Sequence, residues 1–134
     1  MIKKILAVIL ALQIALLADF SDVDAQQLVK LQSQNVPVID IRTPGEWKET
    51  GVIPGAHKIM FFDERGNYNI QDFLAKLSKV VKDKNQPFIL VCRTAHRTKT
   101  VGNFLSKQVG YKNVKELKGG MMYGWMNEGK KTVK

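Results

Sequence analysis

The run Phe88-Ile89-Leu90-Val91, closed upstream by Pro87 and downstream by Cys92, constrains the fold more than any other segment. Four consecutive apolar residues read as a strand buried on both faces. Arg93-Thr94-Ala95-His96-Arg97-Thr98 follows, and then a helical pattern with Val101, Phe104 and Leu105 facing inward. A buried strand that turns directly into a helix belongs to a layered α/β domain. The turn also holds the chain's only cysteine. A thiol at such a turn faces backbone N–H groups at the positive end of a helix. That setting favours thiolate, the reactive form of cysteine. The alternative is an inert buried cysteine that packs as a small hydrophobe. The functional alternative requires a thiol at the rim of the sheet, within reach of solvent.

The remaining segments alternate in the same way. Ser21 and Asp24 have the spacing of a capping box, opening a helix that carries Ala25, Leu28 and Leu31 and ends near Asn35. Val36 to Ile41 reads as a strand, with Asp40 near its end. Pro44 suits the first turn of a helix, and Glu46 to Glu49 reads as one short turn. Ala56 to Phe61 reads as a weak strand. Ile70, Phe73, Leu74, Leu77, Val80 and Val81 form a helical stripe. Val114 to Leu117 is a further strand, and Gly119-Gly120 is a tight turn before a short helix with Met122 and Trp125. Strands alternating with helices imply a mostly parallel sheet. Ligands of such folds bind at the carboxyl ends of the strands, and Asp40, Cys92 and Gly119-Gly120 all fall there.

With 134 residues the chain has room for one domain and a modest core. There are 21 Lys and Arg against 12 Asp and Glu, a net charge of +9. The basic residues are scattered and are not interleaved with aromatics, so no nucleic-acid partner is expected. An attraction for small anions is the milder implication. Residues 1–18 read as a leader: Met1-Ile2-Lys3-Lys4 is a positive start, and Ile5 to Ala18 is apolar except for Gln13. Fourteen residues are short for a membrane span. Leu16 sits where a cleavage site prefers a small residue, so a removed signal and a retained anchor both stand, and a membrane is a partner only in the second case. Either form places the protein outside the cytoplasm, in a bacterial periplasm. A single cysteine forms no internal bridge, so the thiol is not a structural staple. Residues 129–134 read as a polar, frayed tail, and residues 19–128 as the domain.

The chain resembles the rhodanese-like domain, the sulfurtransferase family, through four motifs in order. Val38-Ile39-Asp40-Ile41-Arg42 with Glu46-Trp47 resembles the family's Asp-x-Arg…Glu-aromatic segment. Gly51-Val52-Ile53-Pro54-Gly55-Ala56 is similar to Gly-His-Ile-x-Gly-Ala, with Val52 in place of the His. Cys92-Arg93-Thr94-Ala95-His96-Arg97-Thr98 resembles the active loop Cys-Arg-x-Gly-x-Arg-Ser/Thr, with Ala95 in place of the Gly. Leu117-Lys118-Gly119-Gly120 with Trp125 resembles the family's closing segment. The resemblance implies an α/β, rhodanese-like fold: a central, mostly parallel five-stranded sheet with helices on both faces.

It further implies sulfur transfer through a persulfide on Cys92, from a small anionic donor such as thiosulfate to a thiol or other thiophilic acceptor, by nucleophilic covalent catalysis. No metal or cofactor is implied, and a monomer is expected. Phosphatases with a similar loop have one more residue between Cys and Arg, so the shorter loop here favours sulfur over phosphate. A phosphatase or arsenate reductase, and a non-catalytic module that carries sulfur or docks a partner, are the alternatives. Arg93 would attract the donor. Arg97 would brace the loop through Asp40 or Glu46, with Arg42 joining the network, or serve as a plain ion pair. Thr98 would cap the helix or donate to the sulfur. His96 would be a general acid or simply exposed. Met121-Met122-Tyr123 would line a pocket wall or pack in the core, where Phe104 and Trp125 are expected. If position 95 needs a positive φ, Ala95 is disfavoured there.

Overall fold

The computed structural model describes residues 20–134. The leader falls on residues 1–18, outside the described residues. Five strands form one sheet: β1 (Phe20–Val23), β2 (Val38–Asp40), β3 (His57–Lys58), β4 (Phe88–Val91) and β5 (Val114–Leu117). Their order is β1-β5-β4-β2-β3, and all four pairings are parallel. Helices α1 (Ala25–Ser33), α2 (Pro44–Thr50), α3 (Ile70–Ser78) and α4 (His96–Phe104) connect them. After α4 the chain continues as a π turn, Leu105–Val109, and β5 leads into a second π turn, Met121–Trp125, and a 3₁₀ turn, Met126–Glu128.

Alternation along β4 divides the core. Phe88, Leu90 and Cys92 face one layer with Phe73 and Leu77 of α3 and Val101 of α4. Ile89 and Val91 face the other, with Ala25 and Leu28 of α1 and with Met121 and Trp125. All four β4 residues are buried, as a central parallel strand covered on both faces requires. Among the described residues no helix is long and apolar enough to cross a membrane.

Two local readings are corrected. Ser21 is not a helix cap; it lies in β1, and the capping box is formed by Asp24 and Gln27, whose side chains bond each other's backbone N–H at 2.7 and 2.9 Å. β1 docks because Phe20 lies on Gly102 of α4, where a Cβ would fall 2.4 Å from the ring. The tail is not frayed. Val133 forms an antiparallel bridge with Val52, at 2.7 and 2.9 Å, and Lys131 accepts from the Trp125 indole at 2.8 Å. Val52, the departure from the family's His, is thus a buried anchor for the carboxyl-terminal segment.

β5 also carries a buried charge. Glu116 is fully buried and takes Lys99 at 2.6 Å, while its second oxygen has no partner. Burial pushes this carboxyl above its ordinary range, and Lys99 only partly opposes that.

Candidate active site

β2 and β4 are neighbours, with Asp40 opposite Val91. The loops that follow them therefore emerge side by side at the carboxyl edge of the sheet. After β2, Thr43 caps α2 and forms a reciprocal box with Glu46, so the carboxylate of Glu46 is held in the first helical turn. Asp40 accepts from the Arg42 backbone N–H and Nε, both at 3.0 Å, from Nη2 at 2.9 Å, and from the Trp47 indole at 3.1 Å. Arg42 also donates to Thr50 Oγ1 and the Gly51 carbonyl, each at 2.9 Å. Asp40 and Arg42 are each only 1% exposed. A buried ion pair is tolerable when its remaining donors are satisfied, and this one ties the end of β2 to the middle and the carboxyl end of α2.

Arg97 turns to Glu46 instead. Its Nη1 and Nη2 donate to Oε1 and Oε2, each at 2.7 Å, the geometry of a bidentate guanidinium–carboxylate pair. Burial alone would push the Glu46 carboxyl up. The bonds and charge of Arg97, with the Thr43 N–H and hydroxyl, more than offset that and hold it at about 2. Glu46 in turn raises Arg97 further above its ordinary value. Of the two expected braces the structure selects Glu46, while Asp40 and Arg42 form a separate buried unit.

Between these anchors lies the Cys92 loop. Ala95 takes the left-handed conformation, φ 72° and ψ 13°, at the N-cap of α4. The position takes a positive φ, so the Ala-for-Gly departure places a Cβ in a strained conformation. Ala95 supplies no side-chain cap. Thr98 does not supply one either: it is buried in the first turn of α4, with Oγ1 at 3.6 Å from Cys92 Sγ. When the sulfur is ionised, this hydroxyl donates to it. The N–H groups of Arg93, Thr94 and Ala95 find no acceptor among the described residues, and the first-turn N–H groups of α4 lack intrahelical partners as at any helix start. Thr94 is half-buried, and His96 is exposed with no hydrogen bond or ion pair among the described residues.

The thiol is not at an open rim. Cys92 is 1% exposed and packs in line with Phe88 and Leu90. The segment after β5 closes on the backbone of its loop. Gly120, at φ 65° and ψ −161°, lets that backbone approach so closely that a Cβ would fall 2.5 Å from the Arg93 carbonyl oxygen. Met121 N–H donates to the Cys92 carbonyl at 2.9 Å, and Met122 N–H to that of Arg93 at 3.1 Å.

Beside this contact opens a cleft of about 180 Å³ lined by Arg42, Glu46, Glu49, Thr50, Arg93, Met121, Met122 and Met126, a lining that does not include Cys92. Arg93 is exposed, and its Nε donates to Met122 Sδ at 3.1 Å. Met121 and Met122 therefore line the wall and Trp125 packs in the core, whereas Tyr123 points to solvent. Glu49, Thr50 and Met126 were not foreseen. Met126 follows Met122 by one helical turn, a spacing visible in the sequence once a helix is placed there. Among the described residues no cluster of His, Cys, Asp and Glu has the arrangement of a metal site.

A parallel α/β sheet whose central strand ends in a cysteine loop, braced across to the neighbouring loop by an arginine–carboxylate pair, defines the class. The model of the rhodanese-like domain matches residues 24–128, and the chain belongs to that family. An uncharacterized protein of Rickettsia prowazekii is 28% identical over 91 residues, covering 66% of this chain and 71% of that protein. The polysulfide-sulfur transferase of Wolinella succinogenes, solved in solution as a 30 kDa homodimer, superposes with a TM-score of 0.64 at 25% identity, over 98% of this chain and 90% of that one. A rhodanese-like domain from Anabaena superposes at 0.62 and 21% identity, over 84% and 79%. The fold is the sulfurtransferase-type, rhodanese-like α/β fold.

Proposed function

We propose that this chain is a sulfurtransferase that moves a sulfane sulfur through a Cys92 persulfide. The observation that carries the reading is the loop itself: Cys92 Sγ beside the Thr98 hydroxyl, unclaimed N–H groups over Arg93 to Ala95, and Arg97 locked to Glu46. These donors stabilise negative charge on sulfur without reorganising. The thiolate attacks the outer sulfur of a donor such as thiosulfate. The donor's S–S bond breaks, its electron pair leaves with sulfite, and a Cys92 S–S bond forms. A thiol or other thiophilic acceptor then attacks the outer sulfur of the persulfide and frees Cys92. Arg93, exposed at the cleft, attracts the donor. No step calls on a metal or organic cofactor.

The apolar leader supports export to a bacterial periplasm; small sulfur donors and thiols are the proposed partners, and the domain is proposed to act as a monomer. Cys92 is buried, not at the open rim that the persulfide reading calls for, and this favours one second reading, a module that holds sulfur or docks a partner without turning over. Steady-state transfer of sulfur to a small thiol separates the two. The enzyme reading expects turnover that Cys92→Ser abolishes while circular dichroism is unchanged. Loading without turnover points to the carrier, and turnover that survives Cys92→Ser overturns both.

A further inference from the structure

We propose that Lys99 is a positioning residue for the sulfur chemistry, one that shields the Cys92 thiolate from two carboxylates on the same face of the sheet. The inference rests on the sulfurtransferase reading of Cys92 and adds a residue to it.

The topology is the first observation. β1, β5 and β4 are successive neighbours, and their register sets Asp22 opposite Glu116 and Glu116 opposite Leu90. Side chains alternate along a strand, so Asp22 shares a face with Phe20, Glu116 with Val114, and Cys92 with Leu90. Leu90, Cys92 and Val114 lie in the core layer that holds Val101 of α4, and Phe20 packs against that layer. Three adjacent strands thus present two carboxyls and the nucleophilic thiol to one helix.

That arrangement opposes a thiolate. Cys92 and Glu116 are both buried, and like charges repel more strongly where water is excluded. Most cations nearby are held elsewhere. Arg97 is locked on Glu46 and Arg42 on Asp40. Arg93 is exposed and bonded to Met122, and His96 is exposed. Lys118, past the end of β5, lines a separate cavity with Asp24 and Glu128. Lys99 remains, in the first turn of α4, with its ammonium 2.6 Å from Glu116 Oε1. The other Glu116 oxygen has no partner among the described residues.

Charge couples the four groups. The bond to Glu116 holds the Lys99 ammonium above its ordinary value against its own burial, and the charges of Glu116, Asp22 and Cys92 add to this. Burial, and after it the charge of Asp22, push the Glu116 carboxyl up, against the bond and charge of Lys99. Attraction between charges is mutual, so a thiolate that stabilises Lys99 is stabilised by it. Anchored on a buried carboxylate, a flexible and half-exposed side chain keeps its charge beside the sulfur.

The test titrates the only cysteine of the full chain by the ultraviolet absorbance of its thiolate, as the difference from Cys92→Ser at each pH. Lys99→Gln removes the charge and keeps a donor for Glu116, and the midpoint should rise by about half a pH unit or more. Asp22→Asn, at an exposed position of β1, removes one anion and should lower the midpoint. Lys99→Arg keeps the charge and should stay near wild type. A midpoint unmoved by Lys99→Gln, the same direction of shift in Lys99→Gln and Asp22→Asn, or a Lys99→Arg shift as large as that of Lys99→Gln overturns the proposal. If circular dichroism shows that Lys99→Gln does not fold, Asp22→Asn decides, and a midpoint that does not fall overturns it. Thiosulfate loading of the wild type is read in parallel as one added sulfur. Loading with unmoved midpoints overturns the role of Lys99 alone, and no loading overturns the sulfurtransferase reading and that role with it.

Discussion

Arg97 and Glu46, 51 positions apart, meet through two parallel bonds of 2.7 Å across the gap between the β2 and β4 loops. The pair is what makes two separate loops one site. Glu46 is fixed by its capping box with Thr43, and Arg97 lies at the end of the cysteine loop, so the α2 cap and the Cys92 cradle share one brace.

Glu46→Gln should cost about 1.5–3 kcal/mol, the range for a hydrogen bond to a charged partner. Its pH dependence follows from the sign of the shift. The Glu46 carboxyl lies at about 2 in the folded chain against an ordinary 4.5. The stability it contributes is therefore complete above about pH 4.5 and is lost as the pH falls toward 2. Urea midpoints measured from pH 7 to pH 3 should show the gap between wild type and Glu46→Gln narrowing below about pH 4.5. A constant gap contradicts the pair.

Ala95 stands in a left-handed conformation that costs an L-residue about 1–2 kcal/mol. Glycine removes that strain and returns part of the gain as unfolded-state entropy. Ala95→Gly should therefore stabilise the domain by about 0.5–1 kcal/mol in chemical denaturation. Ala95→Val, β-branched at the same φ, should destabilise it.

Gly120 sits where only glycine is comfortable, and a Cβ there would collide with the Arg93 and Cys92 backbone rather than with a flexible side chain. Gly120→Ala should lower stability by about 2 kcal/mol or more. It should also pull the Met121–Met122 segment off the cysteine loop, so a bulky thiol reagent should label Cys92 faster under native conditions. Unchanged stability and labelling would show that the approach is looser than the geometry indicates.

Much of this architecture is legible in the sequence. β4 and β5 have the expected bounds, because a run of buried apolar residues has little freedom in a parallel sheet. β1 is harder to read: its pattern is mostly exposed, and Ser21 and Asp24 imitate a helix cap. The flanking strands shorten to Val38–Asp40 and His57–Lys58, while Val81 stays buried beyond the end of α3. At the site, residue types and order point to Cys92 and its loop. The choice between Asp40 and Glu46 is not legible, because both lie on one strand-to-helix turn and only the close hold of Arg42 on Asp40 decides it. The close approach of another segment to the Cys92 loop is equally hidden. It arises from backbone contacts with a segment that follows a different strand, permitted by one glycine.

The proposed activity requires that Cys92 take up sulfur. Intact-mass spectrometry of the wild-type chain after incubation with thiosulfate or an alkyl persulfide tests this most directly. The expected result is a gain of about 32 Da, one sulfur atom, that a thiol reductant reverses and that Cys92→Ser does not show. An unchanged mass with every sulfane donor, or a gain that persists in Cys92→Ser, would contradict it.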